Sequence, residues 1–244
     1  MRSWLTLACV FALTGGALAQ NPPKQPEPSK AGDDARRASD LLKGLGAEKP
    51  IVSTAPVTKL GHVRTSLFGI EAEGAKFVYV FDRSASMSEP KNLPIRAAKA
   101  ELIRSLQPLG RTQQFYVIFY NQEPKVFQPG AESGKLIFAN DKNKEAAESF
   151  IKSIQPEGGT RHYTALDTAL KMRPDVIYLL TDGDAHDDLT ADELERLEKL
   201  NGGITQIHVV QFTADFPTGD VLKKLPATSQ GEFKTVPIEK LPAK

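Results

Sequence analysis

Of the 244 residues, one is cysteine, one is tryptophan and three are methionine. The cysteine is Cys9, inside an amino-terminal apolar segment, so a chain cut after that segment has no thiol and no disulfide to brace it. Its stability then rests on packing or on a bound metal. One-sided charge is missing as well: 31 basic residues against 30 acidic ones give no field of the kind that nucleic acid or an anionic membrane selects. There are no internal repeats, and beyond the first segment no apolar run that reads as a membrane span.

What is present divides the chain into parts. Met1-Arg2 leads into Trp4, Leu5, Leu7, Ala8, Val10, Phe11, Ala12 and Leu13, then Gly15-Gly16 and the small-residue pattern Ala17-Leu18-Ala19. This reads as an export signal over residues 1–19, cut before Gln20, and predicts a periplasmic or extracellular product. The stretch from Trp4 to Ala19 is shorter than the roughly 20 apolar residues a bilayer span requires. Residues 20–66 read as a polar linker, beginning with four prolines among the charges of NPPKQPEPSK. Within it Ala35, Ala38, Leu41, Leu42 and Leu45 fall at helical spacing and predict a short helix over 33–45, stopped by Gly44 and Gly46. Residues 51–66 show neither periodicity nor a motif. A domain is expected over 67–244, with its core from about residue 76; 40% hydrophobic and 25% charged residues suit one sizeable core plus a polar extension.

Within that domain, compact apolar runs alternate with helical patterns. Phe77 to Phe81, Phe115 to Tyr120, Val176 to Leu180 and Ile207 to Phe212 are runs suited to strands buried on both faces. Helical stripes come from Ile95, Ala98, Leu102 and Leu106; from Ala147, Phe150, Ile151 and Ile154; from Leu166, Ala169 and Leu170; and from Leu194, Leu197 and Leu200. Lys125 to Gln128 reads as a hairpin partner of the second run, and Glu232 to Val236 as a last strand. The order predicts an α/β fold: a doubly wound, mostly parallel sheet with one antiparallel edge strand, covered by helices on both sides.

Ligands of such sheets sit beyond the carboxyl ends of the strands. The first run ends in Asp82-Arg83-Ser84-Ala85-Ser86, which has a carboxylate and two hydroxyls where a dinucleotide site would have glycines. Set at two-residue intervals on a turning loop, Asp82, Ser84 and Ser86 can aim oxygens into one small space, which suits a hard divalent cation. Taken alone the same residues make an ordinary cap and turn. Gly158-Gly159-Thr160 stands before the third helical stripe, and Thr181-Asp182-Gly183 closes the third apolar run, both on the same expected edge. For each the bland reading is a helix cap or a turn.

The set D-x-S-x-S, a Thr after glycines and an Asp after a buried strand resembles the metal-ion-dependent adhesion site of the von Willebrand factor A family. The likeness extends to the order of elements from about Lys76 to the carboxyl terminus. It implies a metal site made of Asp82, Ser84, Ser86, Thr160 and Asp182. Ser84 and Ser86 would coordinate directly, Asp82 and Asp182 directly or through water, and Thr160 in one conformation but not another. Magnesium is the first candidate ion, with manganese and calcium as alternatives. The resemblance further implies recognition of a carboxylate on a partner protein or ligand, with no catalysis. Ala85 departs from the glycine common in the family but removes no ligand.

Competing readings follow from the same residues. A metal-dependent phosphotransfer or hydrolase enzyme with Asp82 as nucleophile would want a second acid where Ser84 stands, and neither serine has an identifiable base. A metal-independent interaction scaffold would keep the fold and bind through another surface. The acids Asp182, Asp184, Asp187, Asp188 and Glu193 do not fit a calcium loop; Thr190 and Glu193 instead form a capping box. His62, His162, His186 and His208 lack metal-ligand spacing and read as structural or surface residues, while Arg83 and Arg161 flank the site and are candidates for steering an acidic partner.

Overall fold

A computed structural model describes residues 59–130, 134–183, 188–213 and 220–242. The export signal, the proline-rich stretch, the helix expected over 33–45, and Asp184, His186 and Asp187 lie outside the described residues. What is described belongs to one compact unit, Pro56–Lys244.

The sheet is built from β3 (Lys76–Asp82), β4 (Gln114–Tyr120), β5 (Pro124–Val126), β6 (Ile137–Phe138), β7 (Val176–Thr181), β8 (Gln206–Thr213) and β9 (Phe233–Pro237). Its order is β5-β4-β3-β7-β8-β9, with β6 pairing β4 beside β5. β3, β4, β7, β8 and β9 run parallel, and β5 and β6 are antiparallel to β4. The doubly wound, mostly parallel sheet read from the apolar runs is therefore the fold. Short β6 is an addition, since its two residues carry no readable pattern.

Side-chain alternation sorts the core into two layers. On β3, Phe77, Tyr79 and Phe81 face one side and Val78 and Val80 the other, and β4, β7 and β8 follow the same parity. One face is covered by α1 (Leu93–Leu106) and α2 (Asp141–Ser153), the other by α3 (His162–Lys171), α4 (Ala191–Asn201) and the short α5 (Lys224–Thr228). The helix α4 starts with the expected capping box: the Thr190 hydroxyl accepts from Glu193 N–H while Glu193 accepts from Thr190 N–H. None of the described helices is long and apolar enough to cross a membrane.

The stretch without readable pattern contributes structure. β1 (Val63–Leu67) and β2 (Ile70–Gly74) form an antiparallel hairpin, so the packed region starts ahead of residue 67. Its two-residue turn, Phe68-Gly69, has φ of 49° and 79°. That geometry favours Asn-Gly, and a bulky Phe there is what hides the turn from the sequence. The Phe68 ring stands edge-on to Phe212 with centroids 5.2 Å apart, and its N–H donates to the buried Glu101 carboxylate at 2.7 Å, contacts that offset the strained backbone. Tyr178 donates its hydroxyl to hairpin carbonyls of Thr65 and Ile70, which seals the hairpin over the aromatic layer.

β3 continues into β4 on one side, while β7 lies on its other side, so the strand order reverses at β3. The carboxyl ends of β3, β4 and β7 meet there and present Asp82, Asn121 and Asp182 to the same edge.

Candidate metal-binding site

Three loops supply the site. Asp82 is the last residue of β3 and is fully buried. One of its oxygens accepts the Ser84 N–H at 2.7 Å, and the other accepts the Thr181 hydroxyl at 2.6 Å. Ser84 is 2% exposed, and its hydroxyl lies 3.0 Å from that of exposed Ser86. Ser86 donates to Asp182 Oδ1 at 3.0 Å. A serine hydroxyl has a single proton, so Ser84 is the donor in the first of these bonds and the chain runs Ser84 to Ser86 to Asp182. Residues 96 positions apart in sequence thus meet at the end of the sheet.

The loop carrying Thr160 is stitched to the first. Ala85 N–H donates to Gly158 O at 2.9 Å, and Glu157 N–H donates to Arg83 O at 2.8 Å. Gly158 has φ of 76° and lies against Asn121 and Gln122, where an added Cβ would come within 2.6 Å of Gln122 Oε1. The positive φ and the close side chains favour glycine at that turn. Asn121, at the end of β4, holds the same loop from below: its Nδ2 donates to Glu157 O at 2.8 Å and its carbonyl accepts Arg161 N–H at 2.9 Å. Thr160 is half-buried, and α3 after it has Arg161 at the N-cap position with no side-chain cap, so Thr160 does not act as the cap of that helix.

Electrostatically the floor is short of positive charge. Burial, followed by the Asp182 charge, pushes the Asp82 carboxyl up to about 7, against the opposing hydrogen bonds from Thr181 and Ser84. An ionised carboxylate sealed in this way costs several kcal/mol unless a cation or further donors compensate it. Arg83 does not fill that role. Its guanidinium is buried and donates to Glu157 Oε1 at 2.6 Å, while the Glu157 side chain is mostly exposed. Arg83 therefore staples two loops and is not displayed to a partner; Arg161 is exposed at the rim.

Among the described residues, no group of three or more His, Cys, Asp and Glu side chains is placed to hold a metal. Any cation here must take hydroxyl as well as carboxylate oxygens, and the donors that converge are of that kind. Ala85 opens a short 3-10 turn with φ outside the left-handed region, so its methyl adds no strain where glycine is common. His162 is buried with its Nδ1 against the Tyr120 hydroxyl at 2.8 Å, and burial lowers it to about 4. His208 is buried and stacked on Tyr178, with Nδ1 accepting Glu232 N–H at 3.1 Å. Both are structural.

Thr181 was legible only as the residue before Asp182, yet its hydroxyl touches Asp82 directly. A polar residue closing an otherwise apolar strand beside the motif is the one signal that marks it. Beside Thr160 a cavity of about 220 Å³ opens between α3 and α4, lined by Arg161, Tyr163, Thr190 and Glu193 among others.

Comparison with known proteins places the chain in a family. The sequence profile of the von Willebrand factor type A domain matches residues 75–235. A search of the curated proteins finds no match. Among solved structures, a von Willebrand factor type A protein from Catenulispora acidiphila superposes with a TM-score of 0.58 at 20% identity, over 68% of this chain and 41% of that one. Proximal thread matrix protein 1 from the mussel byssus, with a zinc-occupied MIDAS motif, gives 0.53 at 19% identity over 69% of this chain and 43% of that one. This chain thus spans less than half the length of either relative, and at such identities the likeness is one of fold. The profile match covers most of the chain, and with the sheet order it establishes that the protein belongs to the von Willebrand factor type A family.

Proposed function

We propose that the domain binds one divalent cation through Asp82, Ser84, Ser86, Thr160 and Asp182, and uses it outside the cytoplasm to capture a carboxylate on a partner protein or ligand. The observation that carries this reading is the hydrogen-bonded run from Ser84 through Ser86 to Asp182, set over the buried Asp82. Three oxygens from two loops lie in a run with 3.0 Å between each and the next, and the Ala85 N–H bond to Gly158 O brings the Thr160 loop alongside. When bound, the cation supplies positive charge beside Asp82 and Asp182 and an electrophilic position for an anionic group.

An all-oxygen donor set suits magnesium, manganese or calcium. That a mussel relative of the same fold holds zinc in its own MIDAS supports a cation at this position. Ser86 is exposed and Ser84 lies directly beneath it, so the partner's acid approaches from the solvent side. That the buried histidines bond to Tyr120 and to the Glu232 backbone, not to the serines, supports recognition over catalysis. Export rests on the amino-terminal signal pattern.

Affinity capture from the exported proteins of the source, with and without chelator, tests the reading. Retention that needs metal and is competed by a glutamate-bearing peptide is expected. Capture indifferent to chelator favours a metal-independent scaffold. Turnover of phosphate esters that disappears in Asp82→Asn favours an enzyme.

A further inference from the structure

The deepest contact of the site is made by a residue outside the ligand set. Thr181 ends β7 and is fully buried. It donates its proton to Asp82 Oδ2 at 2.6 Å, across 99 positions of sequence. With that proton spent, the oxygen has only lone pairs left, and one of them accepts the Gly183 N–H at 2.8 Å. Gly183 is gripped from the other side as well, because Gln211 Nε2 donates to its carbonyl at 2.6 Å, and Gln211 is the register neighbour of Thr181 on β8. Asp182 stands between these two anchored residues.

The consequence is a single hydroxyl that fixes two carboxylates. Asp82 Oδ1 is oriented by Ser84 N–H and Oδ2 by Thr181, so its plane is set from both sides. Through Gly183 the same oxygen sets the start of the loop that carries Asp182. Space around it is tight: a Cβ on Gly183 would lie 3.0 Å from Thr181 Oγ1 and 3.2 Å from His162 Nε2. We infer that Thr181 is a positioning residue that couples Asp82 to the Asp182 loop and thereby sets the cation affinity of the site without being a ligand. The inference rests on the metal-binding reading above. Outer groups that orient metal ligands act on affinity in this way, since each misplaced ligand must be reordered when the ion enters.

Thr181→Val keeps the shape of the side chain and removes both its donor and its acceptor; Thr181→Ser keeps the hydroxyl and removes a methyl. Thr181→Ala is a second hydroxyl-free variant, free of any apolar group pressed against Asp82. Magnesium and manganese are titrated calorimetrically into the full chain and each variant, with melting in chelator recorded alongside. Thr181→Val and Thr181→Ala are expected to weaken binding about tenfold to a hundredfold, and Thr181→Ser to stay within about threefold of wild type. Wild-type-like affinity in either hydroxyl-free variant overturns the inference. So does a loss in Thr181→Ser as large as that in Thr181→Val, since packing would then explain both. A wild-type chain that binds neither of these ions nor calcium overturns the metal reading and the inference together, a result distinct from the other two.

Discussion

At the floor of the site, Asp82, Ser84 and Thr181 are sealed from solvent, and both oxygens of Asp82 have fixed donors. At the rim, Ser86 is exposed, Asp182 and Thr160 are half-buried, and the Ser86 hydroxyl links the first loop to Asp182. The two regions use the same oxygen chemistry to different ends. The floor holds a charge that packing alone leaves poorly compensated, while the rim offers oxygens to whatever arrives from solvent. Substitutions that separate these roles are the way to break the comparison.

The largest effect is expected at the floor. Asp82→Asn removes a charge that burial and Asp182 both oppose. It should abolish the metal-dependent rise in melting temperature, yet in chelator at pH 8 melt at least as high as wild type. Calorimetric melts of both proteins, with and without metal, check both halves. An Asp82→Asn protein that melts lower in chelator would show that the carboxylate stabilises the fold without a cation.

The Arg83–Glu157 staple should respond asymmetrically. Removing Glu157 leaves the buried guanidinium unpaired, whereas removing Arg83 leaves a carboxylate that water already reaches. Glu157→Ala is expected to cost about 2 kcal/mol and Arg83→Met about 1 kcal/mol or less, measured by denaturant unfolding. Equal losses would put the worth of the pair in the backbone bonds between the loops.

Protonation separates the regions further. Without metal, the Asp82 carboxyl is raised from the usual carboxylate range to about 7, so the folded state holds a proton that the unfolded state has lost between about pH 4 and 7. Its contribution is fully present below the unfolded value and disappears as pH rises through 7. In chelator the stability of wild type relative to Asp82→Asn should therefore fall from pH 5 to pH 8, and with metal the trend should reverse because the ion requires the ionised form. The smallest effect belongs to the rim: Thr160→Ala should weaken metal binding while changing stability in chelator by no more than about 0.5 kcal/mol.

Much of this molecule was legible in the chain. The runs at Phe77, Phe115, Val176 and Ile207 are strands because a parallel sheet covered on both faces needs continuous apolar residues, and that pattern has few other readings. The five proposed ligands were read from a resemblance in which Asp82, Ser84, Ser86 and Asp182 stand at or just after strand ends and Thr160 stands just before α3. The β1–β2 hairpin escaped notice because its turn is Phe68-Gly69, held by tertiary contacts with Phe212 and Glu101 that no local pattern encodes. Arg83 read as a surface charge because burial of a guanidinium depends on Glu157, 74 positions away. The role of Thr181 needed the register of β3 against β7 to appear.

The most direct test is a magnesium titration followed by thermal unfolding, in wild type and in Asp82→Asn. At a magnesium concentration about a hundredfold above the dissociation constant, wild type should melt about 5 to 10 °C higher than in chelator, and Asp82→Asn should not move. No shift in wild type with magnesium, manganese or calcium, or an equal shift in both proteins, would contradict a cation site built on Asp82.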